Sequence, residues 1–226
     1  MTRHVKTPLF LFITVFLSAI MLSGCIIHVG ASTAKAGYQI GDDYSTVNKS
    51  LTIDEGKTVG DVSAVNGSLT VKDNVSAKEI SGVNGSVSIG ENVFAESATT
   101  VNGRLRAQSN FVVSENVSSV NGSISLSPES SVGGKVKTVN GKIDLDGVHV
   151  KKDIVSVSGN IHLSGNTHVE GNIVYEWKKG NSNYNNRLPL LKIGENVKLD
   201  GNIILDRPVD LVLKDESLNS KVIRNY

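Results

Sequence analysis

Cysteine occurs once in this chain, at Cys25, tryptophan once, proline four times, and phenylalanine and tyrosine five times each. A single cysteine excludes any disulfide within the chain. The balance of 23 basic against 22 acidic residues, a net charge of +1, excludes the strongly basic surface that nucleic-acid binding needs. No stretch beyond residue 30 carries a sustained apolar stripe at helical spacing, which excludes a helical bundle. No phosphate-binding loop, zinc-ligand spacing or nucleophile motif is present, so the sequence implies no cofactor, no metal and no catalytic residue. What it has instead is 22 glycines and many serines, valines and asparagines, a composition of short strands joined by turns.

The start of the chain differs from the rest. Arg3 and Lys6 precede an apolar run from Pro8 to Cys25, the pattern of a secretory signal. The run closes on Leu22-Ser23-Gly24-Cys25, which resembles the lipobox of bacterial lipoproteins. The resemblance implies cleavage after residue 24 and acylation of Cys25, several chains giving firm attachment where one gives only marginal binding. Ile26, where an aspartate would imply inner-membrane retention, points to the outer membrane if the cell has one. Loss of residues 1–24 leaves 21 basic and 22 acidic residues, a charge of −1. Residues 25–46 read as the lipidated terminus and a tether.

Beyond the tether one phrase recurs: "AVNGSLTV" at 64–71, "GVNGSVSI" at 82–89, "TVNGRLRA" at 100–107, "SVNGSISL" at 119–126 and "TVNGKIDL" at 138–145. Taking the valine as a start, Val65, Val83, Val101, Val120, Val139 and Val157 follow one another at intervals of 18, 18, 19, 19 and 18, and Val47 extends the series backwards. A fixed period of this size is the mark of a solenoid. Within a coil the apolar positions fall at +4, +6, +10, +12, +16 and +18 from the start, as in Leu69, Val71, Val75, Ala77, Ser81 and Val83. Steps of two keep side chains on one side of a strand, and steps of four carry the chain round a corner. Three such pairs per turn predict an all-β, single-stranded parallel β-helix with three sides and roughly eight coils over residues 47–204. Handedness is not set by the spacing; a right-handed winding is the preferred reading. On the third side Ser63, Ser81 and Thr99 are expected to place buried hydroxyls beside the valines.

In the coil after Val139 the inward pair is expected at Val148 and Val150, a slip of one. The pattern returns at "LKIGENVKL" (191–199), after about a dozen inserted residues. This places an inserted loop near 176–187, where Trp177 and Tyr184 stand as candidate partner contacts. Pro208 and the charges after it read as a C-terminal cap over 205–226.

Asn-Gly between apolar residues ordinarily signals a hairpin. Here the inward register passes through it unbroken, which places it at a corner, with the glycine expected at positive φ. Stacking then sets Asn48, Asn66, Asn84, Asn102, Asn121 and Asn140 in one column, with Gly67, Gly85, Gly103, Gly122, Gly141 and Gly159 in the next, and predicts amide bonds from coil to coil. His162 and His168 are expected to point outward on different sides, which disfavours a shared metal.

"SVNGSISL", "TVNGKIDL" and "SVSGNIHL" resemble the repeats of β-helical adhesin-type domains of bacteria. Phrases such as "HVEGNIVY" (168–175) and "KLDGNIIL" (198–205) are similar to bactofilins, polymer-forming β-helical proteins. The resemblance implies a non-catalytic structural or adhesive element of the cell envelope, held to a membrane by its lipid. Its partners would be an envelope protein or polysaccharide, or further copies of itself, and not nucleic acid. The alternative is a hexapeptide-type left-handed β-helix enzyme or a carbohydrate-binding module.

Overall fold

The computed structural model describes residues 41–177 and 188–226. Over them the chain winds as a parallel β-solenoid of about nine turns, with one short 3-10 helix as its only helical element. Successive turns pair at a chain offset of 18 to 20, as in Leu51 with Leu69, Val117 with Val136 and Leu191 with Leu211, and at an offset of 30 across the insertion, from Ile161 to Leu191. All these pairs are parallel, so Asn-Gly here turns a corner and does not close a hairpin.

Each turn contributes to three ladders. The first runs from Leu51–Ile53 through Leu69–Val71, Val87–Ile89 and their successors to Asp210–Leu213. The second collects Val112–Val113, Ser131–Val132, His149–Val150, His168–Val169 and Lys198–Leu199. The third runs from Tyr44–Val47 and Val62–Val65 to Ile203–Leu205 and Val222–Arg224. Very short strands suffice because each is bonded to the same segment of the turns on either side. The core is the stack of alternate residues from all three ladders: Leu69, Val87, Leu105, Ile124, Ile143, Ile161 and Leu191 form one column, all buried.

On the first two ladders the inward residues are the expected ones, including Val148 and Val150. On the third, Ile173 and Tyr175, and Ile203 and Leu205, point inward as the spacing expects, but in the earlier turns the inward residues are displaced by one. The inward pairs are Val62 and Ala64, Ile80 and Gly82, Ala98 and Thr100, and Val117 and Ser119, so Ser63, Ser81 and Thr99 face outward and the repeat valines from Val65 onward lie half-buried at the rim, with Val47 of the first turn exposed. The reason lies between the second and third ladders. Ser76–Val83 and Phe94–Thr100 run as continuous strands there, and the inward step from Ala77 to Ile80 is three, not four. A slip of one residue exchanges the two sides of a strand. In the longer turns the extra residue falls at the same place: Ala95 pairs with Val113 but Ala98 with Val117, which puts it among residues 114–116.

Pro208 does not end the pairing. Asp210–Leu213 continues the first ladder and Val222–Arg224 the third. Between them the 3-10 helix Glu216–Lys221 takes the place of a second-ladder strand, with Asp215 accepting the Ser217 N–H at 2.9 Å and Leu218 buried. The Lys221 ammonium donates to the Leu199 and Asp200 carbonyls of the turn before. The expected cap is thus a last turn with one ladder replaced by helix.

Candidate functional site

The outer surface is organised in columns, one residue per turn, so each surface site is a stretch of column. The longest is the asparagine ladder. Asn66 Nδ2 donates to Asn48 Oδ1 at 3.0 Å, and the pattern repeats at Asn84 (2.8 Å), Asn102 (2.7 Å), Asn121 (2.9 Å) and Asn140 (2.9 Å). These bonds are exposed and each contributes about 0.5–1.5 kcal/mol at most.

The glycines beside them do not take positive φ. In the early turns the asparagines do, with φ of 59°, 54° and 55° at Asn48, Asn66 and Asn84. Asparagine is the non-glycine residue best suited to this region. Glycine is required for a different reason: a Cβ on Gly67, Gly85, Gly103, Gly122, Gly141 or Gly159 would lie 1.6–2.0 Å from a backbone carbonyl oxygen of the turn before it. The corners stack too closely for any side chain.

A second left-handed column, unforeseen from the sequence, lies at the corner between the first and second ladders. Gly56, Asn74, Asn92, Asn110, Glu129, Gly147 and Gly165 have φ between 55° and 73°. Asn110 donates to Asn92 at 2.8 Å, Asn92 to Asn74 at 3.3 Å, and Asn74 to Glu55 at 3.1 Å. The sequence carries a signal for it: Asn74, Asn92 and Asn110 recur once per turn, each just before an inward Val75, Val93 or Phe111.

The buried hydroxyls are Ser130 and Thr167 beside the second ladder and Thr100, Ser119, Thr138 and Ser156 on the third. Thr138 accepts the Gly141 N–H at 3.1 Å, and Ser156 both accepts from Gly159 N–H and donates to its carbonyl at 3.0 Å. Tyr175 ends this column; burial pushes its phenol up, and its hydroxyl donates to the Leu190 carbonyl at 3.2 Å.

Of the candidate contacts in the insertion, Tyr184 lies outside the described residues, as does Cys25. Trp177 follows Asn140 and Ser158 in the asparagine column and is half-buried, with the Arg207 guanidinium 4.9 Å from its ring centroid. Arg207 is buried and donates to the Val157 carbonyl at 2.9 Å. An indole stacked on a desolvated guanidinium secures the corner where the insertion leaves the solenoid.

On the outward side of the first ladder, Lys142 binds Asp144 at 2.6 Å and His162 Nδ1 lies 3.1 Å from the other oxygen of Asp144. The more ordered charged site is on the second ladder. His149 and His168 are register partners, with rings parallel within 5° and centroids 5.0 Å apart. Each reaches up one turn to a carboxylate: His149 Nε2 to Glu170 Oε1 and His168 Nε2 to Asp200 Oδ2, both at 2.7 Å. His168, and then Lys198 at 3.1 Å, hold the Asp200 carboxyl below the usual range. The sequence reading weighs His168 against His162, on another ladder, and so misses His149. The matching signal is "HV" at 149–150 and 168–169. An open groove of about 330 Å³, lined by Glu195, Lys198, Asp215 and Lys221 among others, adjoins this site.

Comparison with protein-family models, with curated proteins and with solved structures finds no match.

Proposed function

We propose that this protein is a lipid-anchored, non-catalytic scaffold or adhesive element of a bacterial cell envelope. The observation that carries the reading is that the repeated phrase is used up in construction. Its asparagine bonds to the next asparagine, its glycine admits the next carbonyl, and its Leu, Ile or Val at the fourth position fills the core. Repetition of this kind produces length and a regular surface. The sequence ahead of the rod supplies the other half of the reading, since Leu22-Ser23-Gly24-Cys25 after an apolar run is what lipid attachment requires. An acylated Cys25 would hold a rod roughly 40 Å long, nine turns at about 4.8 Å each, to the membrane surface, leaving its columns for contact with envelope protein, polysaccharide or other copies.

Replacing Cys25 by Ser should abolish palmitate incorporation and move the protein from the membrane to the soluble fraction. Unchanged labelling and fractionation of that variant would sink the anchor.

A further inference from the structure

We propose that Arg104 and Arg106, with the serines of the turns on either side, bind a phosphate group carried on a polysaccharide of the cell envelope. The inference deepens the envelope reading above and rests on it for where the polymer is met; the binding itself is tested without the lipid, so either can fail alone.

The repeat supplies the first observation. The third and fifth residues after each starting valine are outward places on the first ladder. They hold two hydroxyl residues in the turns from Ser50 and Thr52 up to Ser86 and Ser88, and again at Ser123 and Ser125. The turn between holds Arg104 and Arg106 instead. Construction does not require the change, since the turns on both sides stack without it. Two like charges on one side of a strand, about 7 Å apart at the backbone, also repel each other.

The second observation is that nothing in the fold answers these charges. Along the same face the nearest charged groups already hold one another: Lys72 and Asp54 at 2.9 Å below, and Asp144 with Lys142 at 2.6 Å and His162 at 3.1 Å above. Both arginines are exposed, and among the described residues neither guanidinium has an ion pair or a hydrogen bond. Ser88 and Ser125, the register partners of Arg106 in the turns below and above, likewise keep their hydroxyls without a partner among those residues.

Each guanidinium offers a planar fork of donors and no acceptor. One fork satisfies a carboxylate. Two forks, with hydroxyls in the rows above and below, match a tetrahedral oxyanion with several acceptor oxygens, which is the chemistry of a phosphate ester. The rest of the face favours a polymer over a lipid surface. Every residue at the middle of the outward side, from Thr52 to Lys192, is polar, so no side chain there would enter a headgroup layer. These residues form a straight row, one per turn at about 4.8 Å, along which an extended phosphorylated chain can lie.

The full chain carrying Cys25→Ser, which takes any acyl chain out of the measurement, is titrated at low salt with dextran phosphate and with plain dextran. Saturable binding of the phosphorylated polymer alone is expected, weakened by added salt. Arg104→Gln and Arg106→Gln should each lower the affinity about fivefold or more, and the double variant should lose it. Arg106→Lys should recover only part, since it keeps the charge and loses the fork. Lys72→Gln, whose ammonium is already paired with Asp54, should change the affinity by less than about twofold. Inorganic phosphate should compete only in large excess, because the polymer rebinds through neighbouring phosphates. Equal binding of plain dextran would overturn the proposal, as would an equal loss in Lys72→Gln, which would report net charge alone. One-for-one competition by inorganic phosphate would reduce the site to the free ion. Equal binding to phosphatidylglycerol vesicles, lost in the same variants, would move it to the membrane; either result sinks the polymer. Far-ultraviolet circular dichroism of each variant separates a lost contact from a lost fold.

Discussion

Gly103 has the backbone of an ordinary L-residue and still admits no side chain, because a Cβ there would sit 1.9 Å from the Gly85 carbonyl oxygen. The obstacle is backbone of the adjacent turn, which cannot step aside without parting the ladder. Gly103→Val should therefore cost about 3 kcal/mol or more, at the upper end of overpacking penalties. Ser123→Val, one position past the corner glycine Gly122 and on the outward side, should cost well under that. Ser123 needs no close approach, and its side chain is not in the core. Denaturant melts of the two variants check this, and equal midpoints would remove the close-approach account of the repeat glycine. Glu79 shows the opposite kind of residue, one the fold tolerates at a cost. Burial, and then the Asp61 carboxylate, push its carboxyl above the usual glutamate range. A carboxyl raised on folding binds its proton more tightly in the native state, so at neutral pH the ionised group is a burden that disappears on acidification. Glu79→Gln should raise stability near pH 7 by about a few tenths of a kcal/mol, the group being partly exposed and screened. The gain should fade as pH falls through the raised value to the ordinary one, and melts at pH 7 and pH 4 compare the two regimes.

At the scale of the strand, the third ladder decides which side of the chain is core. Ile80 is fully buried and Val83 half-buried, although the repeat makes Val83 the more conspicuous of the two. Ile80→Ala should cost about 2–5 kcal/mol as a cavity in a packed interior, and Val83→Ala about 1 kcal/mol or less. Urea midpoints distinguish the two, and the reverse order would place the valines inside. The same ladder shows what the sequence makes legible. The period, the parallel pairing and the inward residues of the first two ladders follow from apolar spacing, because Leu69 and Val71 alternate about a single outward Thr70 and nothing else fits that pattern. The third ladder misleads because Ala, Gly, Ser and Thr occupy many of its inward positions, while valine, the stronger apolar signal, stands one residue on at the rim. The histidine pair on the second ladder is harder to read for a related reason: His149 comes after a one-residue slip in its turn, so a fixed count from Val139 does not set it above His168, and only the repeated His-Val step marks it. Nothing in composition marks a pair that exists only through register.

Over the described residues, the backbone of each turn is bonded only to its two neighbours, and stability is close to a sum of turn and interface contributions. Removing residues 83–100, one full turn, joins Gly82 to Val101 and leaves both columns in register. The shortened chain should fold to the same parallel β structure, with the slope of its denaturant transition lower by about one ninth, in proportion to the surface lost. Removing 83–99 instead leaves one residue too many at the Asn-Gly corner, as between Leu205 and Leu211 in the last turn, and should fold with a lower urea midpoint, because the asparagine and glycine columns lose their register there. Circular dichroism and urea titration of the two deletions compare them directly. The same neighbour-only bonding governs how the rod would answer a mechanical load. Drawn out by its two ends, it need not fail all at once. It can peel from a terminus, one winding at a time, each release letting out about 60 Å of extended chain, so that tension on such a tether would be dissipated in small, repeatable steps.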